Sequence, residues 1–208
     1  MIALLIDLDG VLWFSERVHK DAFIEALSAY TKEAQNLINS TWIFGESTEE
    51  YSKRILNHMG IEHDLTIVNN LITAKRLIAS KESEIPVNWS LINALDAVKR
   101  EDVSIALVSS SSKENVRKFL KVTQSRSTFD CVVDASLIKK PKPHPDCYNY
   151  AMDKLSISPI KCIAIEDSQL GIAAAKKASI STVISFPEDF KFMDEKKFLL
   201  QLITRLEN

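Results

Sequence analysis

The sequence predicts an α/β fold, a doubly wound parallel sheet whose chain is interrupted near its start by an all-helical insertion. Short apolar runs of strand length recur along most of the chain, and stretches of helical periodicity follow most of them. That alternation builds a parallel sheet covered on both faces. The stretch from about residue 16 to residue 81 has helical periodicity and no convincing strand. The 208 residues, 46% of them hydrophobic, suffice for one core domain with an insertion. The expected division is therefore a Rossmann-like core of residues 1–15 and 82–208, and a helical unit of residues 16–81.

The first strand is expected in the apolar run at residues 2–8, which ends in carboxylates. Strands follow at 103–108, which ends in a serine run, and at 161–165, which ends in Glu166-Asp167. Weaker strand signals occur at 130–133 and 181–185. Helices are expected at 112–122, 145–155, 168–178 and about 190–206, the last with Phe192, Leu199, Ile203 and Leu206 on one face. Within the insertion, Phe23, Ala26, Leu27, Tyr30, Ala34, Leu37 and Ile38 recur at helical spacing. Gly45 and Gly60 bracket a second helix, with Ser47 or Thr48 as N-cap before Glu49 and Glu50, and a third covers about 63–80. Pro86 marks the return to the core.

The formal net charge is -2, and no basic run of five or more residues occurs, so nothing points to a nucleic-acid partner. The longest apolar stretches are far too short to span a bilayer. The opening residues Met1 to Asp7 read as a buried strand, not a signal peptide. The three cysteines, Cys131, Cys147 and Cys162, form no CxxC pair, and reduced thiols in the cytoplasm are the expectation.

In an open parallel sheet, ligands bind outside the carboxyl ends of the strands. Four polar groups sit at or just beyond such ends: Asp7-Leu8-Asp9-Gly10, Ser109-Ser110, the loop Lys140-Pro141-Lys142-Pro143, and Glu166-Asp167. Parallel strands make them converge, which gathers four carboxylates in one crevice. Such a cluster repels itself and raises its own pKa values. A divalent cation resolves the conflict, and an all-oxygen ligand set suits Mg²⁺.

In order, the sequence carries Asp7-x-Asp9-Gly10-Val11-Leu12, a serine closing a hydrophobic strand, Lys142-Pro143-x-Pro145-Asp146-x-Tyr148, and Glu166-Asp167-Ser168-x-x-Gly171. Together these motifs resemble the haloacid dehalogenase-like superfamily over roughly residues 2 to 186. The helical insertion resembles that superfamily's C1-type cap, as in the β-phosphoglucomutase and phosphoglycolate phosphatase group. The resemblance implies a Mg²⁺-dependent phosphatase that hydrolyses the phosphate monoester of a small metabolite through an aspartyl-phosphate.

By the same resemblance, Asp7 is the nucleophile and Asp9 the general acid and base, with its backbone carbonyl also meeting the metal. Gly10 lets the backbone approach phosphate. Ser109 and Ser110 hold phosphoryl oxygens. Lys142 stabilises the charge on Asp7 and on the transferring group, with Lys139 and Lys140 as competing candidates. Asp167 is a direct Mg²⁺ ligand, and Glu166 a ligand directly or through water. Each residue also has a plain structural reading: a strand-terminal aspartate, an Asx turn at Asp9, a turn glycine, a helix cap among Ser111 and Ser112, an exposed loop lysine, and an acidic pair at a helix N-terminus.

In the helical unit, His19 occupies the position of a cap-hinge histidine in the phosphoglucomutase-like members; a helix-start histidine is the plain reading. Lys75 and Arg76 are candidates to hold an anionic substrate tail, against the reading of a solvated pair. The mutase cap places an arginine after Gly-x-Ser, whereas Gly45-Glu46-Ser47 is followed here by Thr48. That departure speaks against the alternative of a sugar phosphomutase. A non-catalytic binding or regulatory protein is the alternative of another class, and the retained Asp7, Asp9, Lys142 and Asp167 speak against it. Trp13 and Phe14 are read as an apolar entrance or as hinge packing. The expected assembly is a monomer or weak homodimer.

Overall fold

The computed structural model describes the chain except Phe44, His63, Asp64, Glu82, Ser83, Glu188, residues 190–193 and Asn208. The chain divides into two compact units. One joins Met1–Phe14 to Val87–Asn208, and the other is Ser15–Pro86.

The first unit is built on five parallel strands: β1 (Ile2–Ile6), β2 (Val103–Val108), β3 (Cys131–Val133), β4 (Cys162–Glu166) and β5 (Thr182–Ser185). Their spatial order is β3-β2-β1-β4-β5. The chain moves outward from β1 through β2 to β3, then returns to the other side of β1 at β4. This reversal makes a switch point at the carboxyl end of β1, where ligands of open α/β sheets bind. Register is continuous across it, with Ile6 beside Leu107 on one side and Ile165 on the other.

The strands are apolar along their whole length because the sheet is buried on both faces; every residue of β1 and β4 is buried. Ala3 and Leu5 join one core cluster with Cys147, Tyr148, Ala151 and Ala174. These last four lie on α7 (Asp146–Leu155) and α8 (Gln169–Lys177). On this unit α9 (Glu195–Glu207) packs against β1 and against α5 (Trp89–Val98). The expected 190–206 helix thus begins at Glu195 among the described residues, and Phe192 lies outside them.

The helix α5 was not anticipated, although its signals are present. Asn88 caps it by accepting from the Leu91 amide at 3.1 Å, and Leu91, Ala94, Leu95 and Val98 form its buried stripe. After β2, α6 (Lys113–Thr123) starts at Ser112, whose hydroxyl accepts from the Asn115 amide at 3.3 Å. Trp13 is buried and packs on Phe119 at 5.9 Å between centroids, whereas Phe14 is half exposed and stacks on Phe186 at 6.5 Å.

The second unit is helical, with α1 (Glu16–Leu27), α2 (Ala34–Thr41), α3 (Thr48–His58) and α4 (Leu65–Ser80). The periodic series from Phe23 to Ile38 is split between α1 and α2 instead of forming one helix, and Tyr30 is left exposed. The break follows from side chains that compete for the backbone. The Ser28 hydroxyl donates to the Ile24 carbonyl at 2.7 Å, and Thr31 Oγ1 accepts from the Glu33 amide at 3.2 Å. Phe23, Leu27, Ile38, Tyr51, Ile55 and Leu71 anchor this unit's own core. Ser47 caps α3 by accepting from the Glu50 amide at 3.2 Å, and Gly45 and Gly60 both take positive φ, 80° and 67°. No helix among the described residues is long and apolar enough to cross a membrane.

Candidate active site

The geometry at the switch point starts with backbone. The last strand residue of β1 hands on to Asp7, whose amide donates to the Ile165 carbonyl at 3.0 Å. That bond sets Asp7 beside the end of β4, where Glu166 and Asp167 follow. One oxygen from each of Asp7, Glu166 and Asp167 lies within 4.8 Å of the others. The chain then turns sharply at Gly10, which has φ 84° and whose amide donates to the Trp13 carbonyl at 2.8 Å. A side chain at this φ is strained, so the turn itself requires glycine.

Lys142 arrives from the loop between β3 and α7. It is 4% exposed, while Lys139 and Lys140 are exposed at the surface. Its Nζ donates to Asp7 Oδ1 at 2.7 Å, reaches Glu166 Oε1 at 2.5 Å and reaches the Val108 carbonyl at 3.3 Å. An ammonium has three protons, and these three acceptors account for them. Glu166 is fully buried, and its Oε1 also accepts from the Tyr148 hydroxyl. Its Oε2 and both carboxylate oxygens of Asp167 are buried without a hydrogen-bond partner.

One ammonium cannot neutralise this many carboxylates. Burial, the Glu166 charge and the Asp9 charge push Asp7 up to about 8 despite Lys142. Burial and the charges of Asp7 and Glu166 push Asp167 up to about 9. Burial works against the charge on Lys142, but Asp7 and Glu166 outweigh it and hold the ammonium form above its usual range. The donor set is all oxygen and three of its oxygens are orphaned, which is the pattern a hard divalent cation satisfies. Mg²⁺ fits these residues.

Asp9 is held by hydroxyls. Its Oδ2 accepts from the Ser111 hydroxyl at 2.6 Å and from Ser109 at 3.4 Å, and it is not one of the group of three. Ser109 is fully buried and its oxygen accepts from the Ser111 amide at 2.9 Å. The Ser110 hydroxyl is buried with no partner. Ser112 is the helix cap, and Ser111, considered for that task, instead faces Asp9. Ser168 caps α8 by accepting from the Gly171 amide at 3.0 Å.

The candidates in the helical unit separate from one another. Lys75 is 5% exposed and Arg76 is exposed. Lys75 Nζ lies 3.1 Å from His19 Nδ1, 3.4 Å from Thr48 Oγ1 and 5.3 Å from the Phe23 ring centroid. An ammonium only donates, so Nδ1 accepts and the proton of a neutral His19 sits on Nε2.

Tyr148 and Gly171 stand at motif positions in the sequence, and the motifs alone give neither a task. The signal for Tyr148 is a phenol where an apolar helix face asks for a phenylalanine. Gly171 lies inside a helix, and a Cβ added there would fall within the Glu166 carboxylate.

A doubly wound parallel sheet with carboxylates and a buried lysine gathered at its switch point defines a class of α/β scaffold with a site at the carboxyl ends of its strands. The haloacid dehalogenase-like hydrolase pattern matches residues 4–185, and the chain belongs to that family. It is 26% identical to the phosphorylated carbohydrates phosphatase of Thermotoga maritima, across 88% of this chain and 84% of that protein. It is 29% identical to the beta-phosphoglucomutase of Bacillus subtilis, across 88% and 82%. Among solved structures it superimposes on CbbY from Rhodobacter sphaeroides in complex with xylulose-(1,5)-bisphosphate. The TM-score is 0.72 at 25% identity, covering 93% of this chain and 92% of that one.

Proposed function

We propose that this chain is a Mg²⁺-dependent phosphatase that hydrolyses the phosphate monoester of a small metabolite, a phosphorylated sugar in the first instance, by way of a phosphorylated Asp7. The observation that carries the reading is Lys142 clamped between Asp7 and Glu166, beside orphaned oxygens of Glu166 and Asp167. Asp7, the Asp9 backbone carbonyl, Asp167 and Glu166 would hold the cation, Glu166 directly or through water. Bound there, Mg²⁺ supplies the positive charge that lets carboxylates and phosphoryl oxygens share one site.

In the first step a carboxylate oxygen of Asp7 bonds to phosphorus while the bond from phosphorus to the ester oxygen breaks. Asp9 gives its proton to that departing oxygen. In the second step water bonds to phosphorus, Asp9 takes the proton of the water, and the bond from phosphorus to Asp7 breaks to release inorganic phosphate. Ser109, Ser110 and the backbone at Gly10 hold the phosphoryl oxygens, and the Ser110 hydroxyl has a proton to spend on one. The Ser111 and Ser109 hydroxyls orient Asp9. Lys142 keeps the Asp7 carboxylate fixed and offsets its charge.

The helical unit, by the same reading, is a cap that chooses the substrate. Lys75, with His19 and Thr48 against it, is its group best suited to an anion, and exposed Arg76 is the lesser candidate. Phosphomutase chemistry is disfavoured in this unit. Glu46 stands before Ser47-Thr48, and the Arg54 guanidinium is already engaged by Glu46 at 2.6 Å and the Thr41 carbonyl at 2.9 Å.

The test is hydrolysis of an aryl phosphate and a panel of sugar phosphates with and without Mg²⁺. Turnover that needs the metal and falls below detection in Asp7→Asn is the expected result. Wild-type turnover by Asp7→Asn rejects the nucleophile. A wild-type protein silent on the whole panel favours the non-catalytic alternative.

A further inference from the structure

The core face of α7 is apolar except at one atom. Cys147, Ala151 and Met152 are buried beside Tyr148, and Tyr148 is itself fully buried. A phenylalanine would fill the same space without a polar atom. A buried hydroxyl left unpaired costs about 1–3 kcal/mol, so its presence calls for a partner. The partner is Glu166 Oε1, the same oxygen that Lys142 Nζ reaches at 2.5 Å. The Lys142 ammonium also sits 5.6 Å from the Tyr148 ring centroid.

The Glu166 side chain is therefore held from two directions on one oxygen. On its far side Gly171 leaves room only because it has no Cβ. Lys142 cannot hold Glu166 alone, since its protons are divided among Asp7, Glu166 and the Val108 carbonyl. The phenol is the one donor of the two that contacts Glu166 and not Asp7.

We propose that Tyr148 is a positioning residue, which fixes Glu166 through Oε1 and so presents the carboxylate group of Asp7, Glu166 and Asp167 to a divalent cation in one geometry. This rests on the metal reading above. Residues that hydrogen-bond to a metal ligand are commonly worth about 10–100-fold in metal affinity.

The experiment measures Mn²⁺ binding to the full chain by electron paramagnetic resonance. It compares wild type, Tyr148→Phe, Glu166→Gln and the double variant, with metal-free thermal unfolding alongside. Tyr148→Phe should bind Mn²⁺ about 10–100-fold more weakly than wild type. Adding Tyr148→Phe to Glu166→Gln should cost little more, because the phenol acts through that carboxylate. The metal-free midpoint should fall by several degrees at most, leaving Tyr148→Phe fully folded at the temperature of the binding measurement. Equal Mn²⁺ affinity in wild type and Tyr148→Phe overturns the positioning role and leaves the metal site standing. Full additivity of the two substitutions also overturns it. Absence of Mn²⁺ binding by wild type overturns the metal reading itself, and this inference with it.

Discussion

Gly171→Ala is the substitution whose usual effect this site should reverse. In a helix interior, alanine in place of glycine gains about 0.5–1 kcal/mol. Gly171 is the third residue of α8, and no positive φ demands glycine there. Its Cβ would nevertheless meet the Glu166 carboxylate well inside van der Waals distance. A carboxylate at the end of a flexible side chain can usually step aside, but Glu166 is fully buried and is held by Lys142 and Tyr148. Moving it breaks two hydrogen bonds to a charged group, each worth about 1.5–3 kcal/mol. The loss of about 3–6 kcal/mol outweighs the gain of about 1, leaving a net destabilisation of about 2–5 kcal/mol. For a chain of this size each kcal/mol moves the unfolding midpoint by about 2–4 °C. Calorimetry of the metal-free protein should show a fall of several degrees, together with weakened Mn²⁺ binding. Glu166→Ala placed in the same chain should recover part of the stability and none of the binding. A Gly171→Ala variant as stable as wild type, with Mn²⁺ affinity intact, would refute the reasoning.

Two further outcomes follow from the charges. Asp7 and Asp167 titrate from about 8 and about 9 in the folded metal-free chain, against an ordinary 3.8. Between about pH 4 and those values the folded state holds protons that the unfolded chain has released, so metal-free stability should fall as pH rises through that window, by at most about 1.4 kcal/mol per unit for each group. Mg²⁺ must displace the same protons, so its apparent affinity should rise with pH; a midpoint that climbs from about pH 5 to 8, or an affinity flat over that range, contradicts this. In the helical unit, Lys75→Met removes a 5% exposed cation while keeping its volume. If Lys75 holds the anionic end of the substrate, KM should rise about tenfold or more, in proportion to about 1.4 kcal/mol of lost binding, with kcat little changed. Unchanged KM across the sugar phosphate panel would assign Lys75 to the core of its unit alone.

The sheet was legible because parallel strands buried on both faces leave an unmistakable trace, an apolar run closed by a polar residue. The runs ending at Asp7, Ser109 and Glu166 each show it. The insertion was legible as helical, but not its first break, because Ser28 and Thr31 act through hydrogen bonds that periodicity does not register. The helix α5 is marked in the sequence by Asn88 and the stripe from Leu91 to Val98, but it follows directly on the boundary at Pro86. At the site, strand order brings Asp7 and Glu166-Asp167 together, which the sequence implies once the strands are taken as parallel. The tasks of Tyr148 and Gly171 were hidden. They depend on a helix turning one hydroxyl, and another helix an empty position, toward the same carboxylate. Asp9, expected to face the same substrate as Asp7 from a different environment, accepts from the Ser111 and Ser109 hydroxyls.

The charge count sets the order in which this centre can fill. Asp7, Glu166 and Asp167 gather around one ammonium, and that ammonium has no proton left for another acceptor. Without a second cation, the deficit is met by protons on Asp7 and Asp167, which is what their raised pKa values express. A protonated Asp7 is a poor nucleophile, and a phosphate monoester dianion would add to a potential that is already negative. On the proposed reading, a divalent cation held there would supply the missing positive charge, so that Asp7 is ionised and an anionic substrate is tolerated. Lys142 cannot substitute for it, because Lys142 is spent on holding Asp7 and Glu166 in register. The buried lysine, the orphaned oxygens and the raised pKa values are thus three expressions of one arrangement, a carboxylate cage short of one divalent cation.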